Sequence, residues 1–166
     1  RLTRQGVLVR LGRGLYASAT MVPREHHTLA EVASKVPNGI VCLLTALRFH
    51  GLGTQHPREV WLAVDRRAGI PRIDFTPVRV IRISGAALTG GIDTHDVEGV
   101  RVRITSPART VVDCFKFRNR IGIDVAVEAL RDYRLLRKGS VEALWREAGH
   151  LRMTQVIRPY WDAISS

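Results

Sequence analysis

Lysine, cysteine and early acidic residues are what this chain has least of. Three lysines (Lys35, Lys116, Lys138) stand against 23 arginines. The two cysteines, Cys42 and Cys114, lie far apart in apolar surroundings without a CxxC partner. They read as buried thiols in a reducing cytoplasm rather than as a disulfide framework. No apolar run approaches the ~18 residues of a membrane span. The longest, "GIVCLLTAL" at 39–47, is short and continues into Arg48. The start, "RLTRQGVLVRLGRG", has no secretory apolar core and no initiating methionine, so the chain reads as beginning inside something longer.

Catalytic signatures are missing as well. There is no GxSxG nucleophile turn and no GxxxxGK[ST] phosphate loop, and Glu-x-Lys of the nuclease kind does not occur. "GS" at 139–140 starts like a nucleotidyltransferase motif, but no Asp-x-Asp follows. Nothing in these patterns argues for an enzyme, and none implies a metal or other cofactor. No repeat or low-complexity block interrupts the chain, which holds seven prolines.

What is present is an ordinary globular composition with an unusual charge. In 166 residues, 45% apolar content can bury a real core, enough for one domain or one domain with a small appendage. The formal net charge is +11, and such a field favours a polyanion, either nucleic acid or an anionic membrane surface. Codon bias explains arginine over lysine; it does not explain the excess over acids. Residues 1–24 hold five arginines and no acid.

Local patterns predict an α+β order. "RLTRQG" ends a helix at Gly6, and Val7 to Leu11 and Leu15 to Ala19 are short strands joined by Gly12-Arg13-Gly14. Helix end, strand, tight basic loop and strand are the closing half of a winged helix-turn-helix, whose earlier helices do not occur in this sequence. "REHHTLAEVASKV" is a helix with Leu29, Val32, Ala33 and Val36 on one face, opened by Pro23 and broken by Pro37-Asn38-Gly39. "IVCLLTALRFHGL" repeats apolar residues at helical spacing (Val41, Leu44, Leu47, Phe49) and predicts a central core helix.

Strands follow at "EVWLAV", "VRVIRI" (78–83), "DTHDVEG" with a turn at Glu98-Gly99, and "VRVRIT" (100–105), with Arg79, Arg101 and Arg103 expected on one sheet face. The rest is helical. Ser106 caps a helix with Pro107 at its first position, another spans about 123–136, Ser140 caps a third, and Pro159 should bend or break the last. The expected organisation is a partial winged unit at 1–20 and a mixed α/β domain at 24–166, with a small sheet and a helical C-terminal half.

Each candidate site has a bland counterpart. In the wing, Arg10 and Arg13 would neutralise phosphates while Gly12 and Gly14 let the backbone approach them; the counterpart is a solvated basic hairpin. Adjacent His26 and His27 point about 100° apart on a helix and cannot share an ion. Asp93, His95, Asp96 and Glu98 fall at an expected turn and read as a solvated loop. Arg109 and Asp113 in "TSPARTVVDC" are four apart and read as an intrahelical ion pair that docks the helix.

"RLTRQGVLVRLGRGLYA", "LLTALRFHGL", "EVWLAV" and "VRITSPARTVVDC", in that order, resemble the AbiEi antitoxin family of transcriptional regulators. The resemblance covers most of the chain, to about Tyr160. It implies a winged helix-turn-helix followed by a second α/β domain, and the antitoxin of a type IV toxin–antitoxin (abortive infection) module. Such a protein represses its own operon by binding double-stranded operator DNA and antagonises a nucleotidyltransferase-like toxin, with or without direct contact. Carried onto this chain, Arg1 and Arg4 end the recognition helix, and Arg10, Gly12, Arg13 and Gly14 form the wing. Arg79, Arg101 and Arg103 offer a second anion surface, and residues 24–166 carry antitoxin function or self-association. The expected protein is cytoplasmic, non-enzymatic and not membrane-bound. The rivals are a metal-dependent nuclease assembling carboxylates such as Asp65, Asp74 or Asp124, and a basic module for an acidic protein or RNA.

Overall fold

The computed structural model describes residues 8–12, 15–18 and 21–166. Two strands, β1 (Leu8–Gly12) and β2 (Leu15–Ser18), pair antiparallel as a sheet of their own. Leu8 faces Ser18 and Gly12 faces Leu15, with an irregularity in register between Arg10 and Gly12. The expected antiparallel pair of strands is therefore present, but Gly12, expected in the loop, belongs to β1 because it pairs with Leu15; residues 13–14 and the helix expected before the strands lie outside the described residues.

The remainder is a five-stranded mixed sheet with helices on both faces. Helix α1 (Pro23–Lys35) starts at a proline, whose missing N–H costs nothing there, and Glu25 accepts the backbone N–H of Val22 at 2.9 Å. Strand β3 (Ile40–Val41), helix α2 (Leu43–His50), β4 (Val60–Asp65) and β5 (Val78–Ile83) follow, then a 3-10 turn at Gly85–Leu88. Next come β6 (Ile92–Val97), β7 (Val100–Thr105) and five helices. These are α3 (Pro107–Lys116), the single turn α4 (Arg118–Ile121), α5 (Ile123–Leu135), α6 (Val141–His150) and α7 (Thr154–Ser165). The strand order is β5-β4-β3-β7-β6; β4–β5 and β3–β7 are parallel, and the other two pairings antiparallel.

Period-two alternation assigns each strand residue to a face. Ile40, Trp61, Ala63, Ile81 and Ile83 pack under α3, α5 and α6. Val41, Leu62, Val64, Val102 and Ile104 pack against α1, whose Leu29, Val32, Ala33 and Val36 form the expected buried stripe. Fully burying each valine, leucine or isoleucine among them contributes roughly 1.5–3 kcal/mol.

Two expectations need correction. The apolar run at 40–50 is not one helix: Ile40 and Val41 form the sheet's central strand, bonded on both sides, and the helix begins only at Leu43. Continuous apolarity carries no period to separate buried strand from buried helix, and two β-branched residues between neighbouring strands resolve to strand. The last helix does not break at Pro159 but runs through it. Pro159 and Gln155 four residues earlier are both exposed, so the carbonyl freed by the missing N–H can meet water. The turn at Glu98-Gly99 is present, with φ of 51° and 80°, the left-handed pair of a tight hairpin.

Candidate nucleic-acid interface

Arg10 and Gly12 lie on β1, and Arg10 stands opposite Tyr16. Gly12 pairs with Leu15. Arg13, Gly14, Arg1 and Arg4 lie outside the described residues.

The sheet arginines share a facing. Arg79 pairs with Trp61, Ala63 with Ile40, and Ile40 with Arg103, so Arg79, Arg101 and Arg103 all point to the α3 side of the sheet. They are not one cluster. Three strand spacings, about 14 Å, separate β5 from β7. Arg79 lies 5.1 Å over the ring of Trp61 and 3.6 Å from Glu59. Arg103 donates to the carbonyl of Asn38 at 3.1 Å, and Arg101 is exposed.

A basic corner that sequence reading missed lies at the ends of the parallel pair β4–β5. The Arg82 guanidinium donates to the carbonyls of Ala68 at 2.8 Å and Arg66 at 3.3 Å, clamping the turn after Asp65. Arg66 and Arg67 on that turn are exposed and, among the described residues, make no side-chain ion pair. Local patterning could not find them, because residue 82 is brought to residues 66–68 only by strand pairing.

The "TSPARTVVDC" string is a buried polar network. The Ser106 hydroxyl accepts the N–H of Arg109 at 3.1 Å, Thr110 donates to the carbonyl of Ser106 at 2.7 Å, and Thr105 and Thr110 hydroxyls meet at 2.7 Å. Arg109, 2% exposed, donates from Nε to both oxygens of Asp113 at 3.0 Å and from Nη1 to the carbonyl of Gly90. Burial outweighs the guanidinium and holds the Asp113 carboxyl above its ordinary range. At Gly91, φ is +64°, and a Cβ would stand 2.7 Å from Arg109 Cβ and from Glu147 Oε1, so only glycine fits. The pair is the intrahelical one that the spacing predicts, and through the Gly90 carbonyl it ties α3 to the turn before β6.

The histidines occupy different environments. His27 is exposed and bonded to Glu98 at 2.7 Å, which raises its pKa. His26 is buried, its ring nitrogens unpartnered, 6.2 Å from Phe49. His50 and His95 flank the same Phe49 at 5.4 and 5.0 Å. Burial lowers the pKa of His26 and His95, and that of His50 to about 4, although its Nε2 donates to the Thr105 carbonyl at 2.7 Å. Each of these three is therefore neutral at pH 7.

Asp65 ends β4, Asp74 is bound to Arg72 at 2.8 Å in an exposed loop, and Asp124 opens α5. Among the described residues no group of three or more His, Cys, Asp or Glu side chains is placed to hold a metal ion. Cys42 and Cys114 are free and buried, and burial pushes both thiols well up. No helix among the described residues is long and apolar enough to cross a membrane. No family model and no curated protein matches the chain.

Proposed function

We propose that this chain is a cytoplasmic DNA-binding repressor and the antitoxin of a type IV toxin–antitoxin module, with β1–β2 as the wing of a winged helix-turn-helix. The observation that carries the reading is the antiparallel pairing of β1 with β2 inside a 24-residue stretch that holds five arginines and no acid. A basic pair of strands of that kind can lie along a duplex and neutralise phosphates while a neighbouring helix reads bases. Arg79, Arg101 and Arg103 belong to the second domain, which antagonises a nucleotidyltransferase-like toxin in this reading.

Fluorescence anisotropy with the duplex upstream of the protein's own gene, against a scrambled duplex and across a salt series, tests it. Preference for the upstream duplex with a steep salt slope, and at least tenfold weaker binding by the Arg10→Ala/Arg13→Ala variant, are the expected results. Equal affinity for both duplexes removes the repressor reading and leaves a basic surface.

A further inference from the structure

Two adjoining cavities open where β4 and β5 end, and they differ in chemistry. The inner one, about 280 Å³, lies between the α3 side of those strands and α3 itself. Its walls are apolar (Leu43, Ile81, Ile83, Phe117), yet it also reaches Arg109 and Asp113. Arg109 Nη2 has no acceptor among the described residues, and the Asp113 oxygens, each taking one hydrogen bond from Nε, keep lone pairs free. Leu43, wholly buried on the same wall, holds a left-handed φ of 47°, a conformation a branched side chain adopts only at a cost. The outer cavity, about 390 Å³, is bounded by Asp65, Arg66, Arg67 and Gly85, and Ser84 lines both.

An apolar slot with one donor and one acceptor at its floor suits a flat heterocycle, and an adjoining rim of unpaired arginines suits phosphate. We propose that this crevice binds a nucleoside phosphate, base inward between Phe117 and the strands, phosphates outward on Arg66 and Arg67. Arg82, by clamping the carbonyls of the 65–68 turn, is a positioning residue for the two arginines. Lys116, exposed at the inner cavity, adds a further cation near its mouth. The inference does not rest on the hairpin and survives or fails apart from it.

The test is isothermal titration calorimetry of the full chain at physiological salt with ADP and GDP, and with their halves: adenosine, guanosine and pyrophosphate. At least one nucleoside diphosphate should bind with 1:1 saturation and at least tenfold more tightly than either of its halves. Arg66→Ala/Arg67→Ala should weaken that binding tenfold or more. Ser84→Trp, at an exposed position shared by both cavities, should abolish it while circular dichroism stays unchanged. Arg10→Ala/Arg13→Ala should leave it intact. Pyrophosphate binding as tightly as the nucleotides, full binding by Ser84→Trp, loss of binding in the hairpin variant, or no saturable nucleotide binding would each overturn the proposal.

Discussion

The Arg109–Asp113 pair on one side of the sheet and the histidines on the other are held in the interior by opposite means. On the α3 side, Arg109 and Asp113 stay buried because they bond each other and Arg109 also bonds the Gly90 carbonyl, with the threonines of the same string bonded nearby. On the α1 side, His26 stays buried with both ring nitrogens unpartnered and the half-buried His95 has its Nε2 unpartnered, alongside His50, which bonds only a carbonyl. On the first side mutual hydrogen bonds oppose the cost of burial, and on the second burial favours the neutral imidazole. The first side should be sensitive to losing one partner, and the second to acid.

Breaking the paired side should have the largest effect. Arg109→Ala leaves the Asp113 carboxyl buried without its cation and should cost about 3–5 kcal/mol in urea unfolding. Arg109→Met/Asp113→Leu should recover most of that loss, because an apolar pair of similar bulk abandons no charge. If the double variant is as unstable as the single one, the network does more than satisfy itself.

Acid should weaken the unpaired side. The folded-state pKa values of His26, His50 and His95 lie below the unfolded value of 6.5, so the unfolded chain binds more protons as pH falls. Stability from these groups is complete above pH 6.5 and is lost as pH falls toward about 4, where His50 titrates. For His50 alone the loss is on the order of 2–3 kcal/mol. Urea melts at pH 7.5, 6.5, 5.5 and 4.5 should show it, and His50→Gln should flatten the slope. Unchanged pH dependence in that variant would mean that His50 does not drive it.

Smaller effects sharpen the contrast at exposed positions. Ser140→Ala removes the acceptor for the N–H of Ala143, bonded at 3.0 Å, and should cost about 1 kcal/mol by thermal melting. Arg79→Ala loses only stacking on Trp61 and a half-exposed ion pair, about 0.5–1 kcal/mol. A loss from Arg79→Ala as large as that from Arg109→Ala would show that exposure does not separate these arginines.

Features held within a few residues were legible from sequence. Ser106 and Ser140 cap the helices expected of them, and Glu98-Gly99 turns the expected hairpin. The pairing of Arg109 with Asp113 follows from four-residue spacing on a helix. Ile40-Val41 was illegible because an unbroken apolar run has no period, and only neighbouring strands make it a strand.

The sequence by itself determined most of the elements, the caps at Ser106 and Ser140, the Glu98-Gly99 turn and the excess of positive charge, because each depends on local backbone preference or on composition. Tertiary structure alone decided which charges are silent and which are available. Strand pairing brings Arg82 to the 65–68 turn, helix packing buries Arg109, and residues 26, 50 and 95 meet around Phe49. Desolvation and partnership depend on neighbours distant along the chain, and no periodicity in the sequence encodes those.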